Sequence, residues 1–129
     1  MELHEAIGTR LTTSTDITTL VSASRITHGD RPAGGAPCIN FFEVGYIPLV
    51  DGIIESSRYQ ISCRAGTPGS AQTIARQVMY LFHNLKNVVG DFDFQMGTVE
   101  DKFLVKEPDT GLWHVPIDIR FVHNNSTVS

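Results

Sequence analysis

The residues able to do chemistry in this sequence are its five histidines, its two cysteines and a group of carboxylates. His4, His28, His83, His114 and His123 form no HxxxH or HxH, the spacings that set two imidazoles side by side for a metal. They read as surface or strand-edge residues, and His28, bordering a loop, is the one position suited to a general base. Cys38 and Cys63 make no CxxC, and two thiols alone are not a zinc site. They read as reduced cysteines in strands, with a disulfide as the alternative. Asp91, Asp93, Glu100 and Asp101 crowd together but lack the DxDxDG pattern of a calcium loop, so they read as a solvated acidic rim. There is no GxSxG elbow. The loop DRPAGGAP, residues 30–37, has no lysine and runs toward a strand rather than a helix. Its prolines also remove N–H donors that a phosphate cradle needs. No catalytic residue, cofactor site or metal site is expected.

The elements that would position such residues are legible from periodicity. Leu3, Ala6, Ile7 and Leu11 predict an amphipathic helix over 2–13, weakened at Gly8 and broken by Thr12 to Thr15. Asp16 is a candidate cap for a short helical turn over 17–21. Arg25 to His28 reads as a short strand. Pro37 to Ile47 reads as a longer one, with Cys38, Asn40, Phe42, Val44 and Tyr46 on one face and Ile39, Phe41 and Ile47 on the other. Apolar groups on both faces mark a central strand or one at a subunit contact. After a turn at 48–52, Ile53, Tyr59, Ile61 and Cys63 alternate with Ile54, Ser56, Arg58, Gln60 and Ser62, predicting a hairpin partner. Thr67-Pro68 then opens a helix over 68–86, striped by Ala71, Ile74, Ala75, Val78, Leu81, Phe82 and Leu85. Phe92 to Met96 is a strand, and Phe103 to Val105 is its partner or its continuation. A turn at 107–111 leads to a final strand in which Trp113, Val115, Ile117, Ile119 and Phe121 alternate with polar residues. Pro116 there favours an edge or a bulge. The expected fold is α+β: a mostly antiparallel sheet with two helices on one face, in the order α-β-β-β-α-β-β-β. Residues 1–123 are expected to be one domain and 124–129 a frayed tail.

Composition narrows the partners. At 129 residues and 41% hydrophobic content the chain holds one core, and no stretch reaches the ~20 apolar residues of a membrane span. Glu2, His4 and Glu5 stand where a signal peptide would be basic and apolar. The net charge of −4 argues against a dedicated nucleic-acid binder, but not against a surface that DNA slides past. More apolar strand surface than two helices can cover points to a partner, or to cover from within the chain.

Three segments carry a resemblance. RITHGDRPAGGAPCINFFEV sets Arg25-Ile26, a Gly/Pro-rich loop and a strand-opening Pro37 in series. RYQISCRAGTPGSAQTIARQVMYLF is a strand, a small polar turn and an alanine-rich helix, and DTGLWHVPIDIRF is a closing strand after an Asp-x-Gly turn. Across residues 3–123 the chain resembles the tail-completion, or tail-terminator, proteins of long-tailed bacteriophages. It departs from them in the bulky Asn40-Phe41-Phe42 and in the long acidic segment 97–109.

The resemblance implies a structural virion protein of the tail and neck, made in the host cytoplasm, without an active site. It implies a homo-oligomeric ring, typically a hexamer, that caps the tail-tube protein and meets the head–tail connector. DNA would pass through an acidic lumen without sequence-specific binding. Ring closure needs two different patches on each subunit. Phe41, Phe42 and Tyr46 on the long strand, Arg31 and Pro32 in the loop, and Phe103 and Leu104 in segment 97–109 are the expected contact residues. A tail-tube or minor capsid or neck subunit of similar fold is the alternative. A small cytosolic enzyme or ligand-binding domain is the alternative of another class.

Overall fold

Thr67 and Pro68 start a helix for the reasons their chemistry suggests. In a computed structural model that describes residues 2–50, 54–83, 87–89 and 92–124, the Thr67 hydroxyl accepts from the Ser70 N–H at 3.2 Å and opens α3 (Pro68–Phe82). Ala71, Ile74, Ala75, Val78 and Phe82 form its buried stripe. The helix ends earlier than its apolar spacing predicts. His83 turns extended, and its Nδ1 accepts from the Val99 N–H at 3.2 Å. Residues 84–86, with Leu85 of the expected stripe, lie outside the described residues. The N-terminal helix α1 (Leu3–Thr13) is opened by a capping box between Glu2 and Glu5 and buries Leu3, Ala6, Ile7 and Leu11. Ser14, rather than Asp16, caps the single turn α2 (Thr15–Thr18), its side chain accepting from Ile17 N–H. A 3-10 turn, Ala23–Arg25, follows.

The strands are β1 (Ile26–His28), β2 (Cys38–Val50), β3 (Ile54–Ala65), β4 (Asn87–Val89), β5 (Phe92–Lys102), β6 (Val105–Lys106) and β7 (Trp113–Asn124). They lie side by side as β1-β2-β3-β7-β5-β4, with β6 also pairing to β7. Only β1 on β2 is parallel. The expected α+β sheet with its helices on one face is found, in the expected order, and the short β4 is an addition to it. The predicted hairpin is β2 against β3. The strand reaches through Pro48 to Val50, past the expected start of the turn, and residues 51–53 lie outside the described residues.

Register explains Pro116. Lys102 pairs with Ile117 and Val105 with His114, so β5 and β6 keep one register along β7. The break between them, Phe103 and Leu104, falls opposite Pro116 and Val115. A proline gives no N–H, and the ladder fails on that side while Ser62 of β3 still pairs with Pro116 on the other. Pro116 therefore sits inside a central strand, at an interruption of its neighbour.

The core lies between the helices and one sheet face. It gathers Ile39 and Phe41 from β2, Tyr59, Ile61 and Cys63 from β3, and Val115, Ile117, Ile119 and Phe121 from β7. Phe121 meets the Phe82 ring edge-on at 5.4 Å and the Phe94 ring at 5.5 Å. α1 lies close against this face at Gly8, where a Cβ would meet the Phe41 ring at 3.4 Å, the near edge of ordinary van der Waals contact. Among the described residues no helix is long and apolar enough to cross a membrane.

Candidate functional site

The chemistry-bearing residues are dispersed. His28 stacks on His4 at 4.3 Å and tilts against Phe41, and burial, then His4, lowers its proton affinity. His123 is buried, 2.9 Å from the Ser57 hydroxyl. Cys38 and Cys63 are both free and buried. Cys63 pairs with Ile39 and Cys38 with Arg64, so the two thiols point to opposite faces of the sheet. Burial raises the proton affinity of both, which keeps them as unreactive thiols. Among the described residues no three His, Cys, Asp or Glu side chains gather as a metal site. Asp91 of the acidic group lies outside the described residues, and Glu100 pairs with Arg120. A cleft of about 560 Å³ at the start of α3 is lined by Leu20, Pro37, Ala65, Thr67, Ile74 and neighbours, none of them titratable. Such a lining supplies no acid or base to activate the hydroxyls of Thr67, Ser70 and Thr73.

The sheet face away from the helices is polar and cross-linked. Arg64 donates through Nε to Glu107 at 2.9 Å and through Nη1 to Asn40 Oδ1 at 2.6 Å. Asn40 in turn donates to the Gly29 carbonyl at 2.8 Å. Gln60 donates to Ser62 at 2.9 Å, and Arg120 bridges Glu100 and Ser56. Ser56 and Ser62 are buried beneath these longer side chains. His114 belongs to this face. Burial, with Arg64 beside it, lowers its pKa from 6.5 to about 4 against the opposing pull of Glu107.

The Gly/Pro loop is braced from within. The Arg25 guanidinium donates to the carbonyls of Ala33 and Gly35, and the Thr27 hydroxyl to that of Asp30 at 2.7 Å. Gly34 sits at φ +96, a conformation open to glycine, and Ala36-Pro37 is cis. Arg31 is exposed on this loop and Pro32 half-buried.

The expected contact residues divide among three places. Phe41 is 3% exposed and fills the core. Phe42 is half-buried on the polar face, opposite Gln60. Tyr46 is 52% exposed, and its hydroxyl donates to Glu55 at 3.2 Å. A shift of register between Glu43 and Gly45 puts Tyr46 on the face of Phe41 instead of that of Phe42. Phe103 is 56% exposed at the opposite margin of the sheet, and Leu104 packs partly against the core. The structure therefore keeps Phe42 and Tyr46 on one strand but on opposite faces, and sets them across the sheet from the neighbouring Phe103 and Leu104. Sequence reasoning missed Val44, Ile47 and Val105 as exposed companions at those margins. Ile47 was visible as an apolar residue beyond the reach of the short β1.

Comparison with curated proteins gives no match. Among solved structures, a chain of the virion of native gene transfer agent (GTA) particle has the same fold. Its TM-score is 0.73 at 12% identity, over 95% of this chain and 94% of that chain. The family model for tail completion protein gp17 matches residues 5–124. A match of that extent shows the family. The chain belongs to the tail completion protein gp17 family, and is a structural protein of the virion tail and neck rather than an enzyme.

Proposed function

We propose that the chain assembles as a closed ring, a hexamer, that caps the tail tube and joins it to the head connector while DNA passes through its bore. The observation that carries this reading is the placement of the exposed large apolar side chains. Val44, Tyr46 and Ile47 lie on one margin of the sheet, Phe103 and Val105 on the opposite margin, and Tyr80 alone stands apart from both, on α3. A single patch would make a two-fold dimer. Two different patches on opposite sides make head-to-tail contacts, which give a ring when the rotation between neighbours closes. The net charge of −4 suits a bore along which a polyanion moves without sticking. The braced loop 30–37, with Arg31 and Pro32, suits a contact to the tube or the connector, because loops held by a rigid sheet are well placed to bind.

The test is the mass of the purified chain, alone and on isolated tails, by light scattering and electron microscopy. A single closed ring is expected. A chain that stays monomeric in both settings contradicts the ring, and growth into long tubes makes it a tube subunit instead.

A further inference from the structure

The two margins that carry exposed apolar side chains are also the two places where the sheet lacks a neighbour. β1 pairs with β2 only from Ile26–Ile39 to His28–Phe41, so β2 beyond Phe41 has β3 on one side and no strand on the other among the described residues. At the far side β4 covers β5 only from Phe92 to Phe94. The Val99 N–H is taken by His83. From Glu100 to Lys106 no strand covers this margin among the described residues. Unpaired N–H and C=O groups on an apolar edge are a template for another strand.

We infer that the joint between ring neighbours is a strand pairing: residues 44–50 of one copy lie antiparallel to residues 100–106 of the next, so that the sheet continues from subunit to subunit. This rests on the ring proposed above and names how its subunits hold each other. Direction agrees. β2, β3, β7 and β5 alternate in sense, so a second copy in the same orientation brings its β2 antiparallel to β5, the more stable pairing. Faces agree as well. Ile47 and Phe103 both point to the polar face, through their positions opposite Ser56 and Pro116, while Tyr46 and Leu104 point to the helix face. A register with Ile47 opposite Phe103 sets Tyr46 opposite Leu104, so like faces meet. Charge agrees once Glu100, held by Arg120, and Asp101, on the polar face opposite Asp118, are set aside: Glu43 and Glu55 flank the first edge, and Lys102 and Lys106 stand on the second. All four lie on the helix face by their pairing with Tyr59, His123, Ile117 and Trp113. Pro48 and the two register shifts in β2 keep the pairing short, which guards the edge against longer and wrong partners.

The joint is tested with Ile47→Cys and Phe103→Cys in one chain. Both positions are more than half exposed, so the fold tolerates them, and the native Cys38 and Cys63 are buried. Opposed residues of an antiparallel pair fall within disulfide reach. Mild oxidation of rings on isolated tails is expected to give a covalent ladder that ends at the ring number, and neither single variant is expected to give one. In a second arm, Glu43→Lys or Lys106→Glu alone is expected to lower the ring fraction and the two together to restore it. Rings that form without the ladder and without charge rescue overturn the strand joint and leave the ring standing. Cross-linking of either cysteine to a different tail protein overturns the second copy as occupant. Wild-type chain that forms no ring on tails overturns the ring and the joint together.

Discussion

Arg64 holds Glu107 at 2.9 Å, and through that contact the turn after β6 is tied to the long hairpin. The same guanidinium reaches Asn40, whose amide holds the Gly29 carbonyl at the mouth of the Gly/Pro loop. One side chain thus fixes two loops on the face of the sheet that no helix covers. Polar groups with little access to water lose their partners if it is removed, and that loss costs more than an ordinary surface contact.

Arg64→Ala is therefore expected to lower stability by roughly 1–3 kcal/mol, within the range for stranding a partly buried partner. Urea unfolding measures it. The same variant should speed protease cleavage within 29–37, a site far from residue 64 in sequence. A stability change within about 0.5 kcal/mol of zero, the range of an ordinary surface substitution, would show that the bridge is incidental.

Phe41 and Phe103 make a contrast between two residues that look alike in sequence. Phe41→Ala removes a ring 3% exposed and is expected to cost roughly 3–5 kcal/mol. Phe103→Ala removes one 56% exposed and is expected to leave monomer stability within about 0.5 kcal/mol, while reducing assembly on tails. Thermal unfolding and a tail-binding assay read the two effects separately.

His114 predicts a dependence on pH. Its pKa falls from an ordinary 6.5 to about 4 in the fold, so the unfolded chain binds the proton more readily. The stability that the neutral ring supports is full above pH 6.5 and is lost as pH falls toward 4. With solvent screening on a half-exposed group the change is roughly 1–2 kcal/mol. His28, lowered by burial and by His4, adds in the same direction. His114→Asn should flatten the loss of stability between those two pH values in denaturant titrations, and an unchanged slope would assign it to other groups.

Much of the fold was legible because local signals agreed with tertiary packing. Thr67, Pro68 and the stripe from Ala71 to Phe82 specify α3, and the alternation of Val115, Ile117, Ile119 and Phe121 specifies the inward face of β7. The end of α3 was not legible. The apolar stripe runs on to Leu85, whereas the chain leaves the helix at His83, whose ring meets the Val99 N–H from a strand distant in sequence. Parity failed at the register shift after Glu43, since one extra residue moves every later side chain of β2 to the other face. The polar face failed for a different reason. Ser56 and Ser62 alternate as solvent-facing residues should, yet long arginine and glutamine side chains from neighbouring strands bury them. Tyr46 and Phe103 are exposed apolar residues, but their separation to opposite margins depends on strand order, which periodicity does not contain.

The most direct test of the central claim is electron microscopy of particles assembled without this chain. The account predicts unjoined heads and tails, or tails of uncontrolled length, both restored when the intact chain is supplied. Normal joined particles with tails of normal length would contradict it.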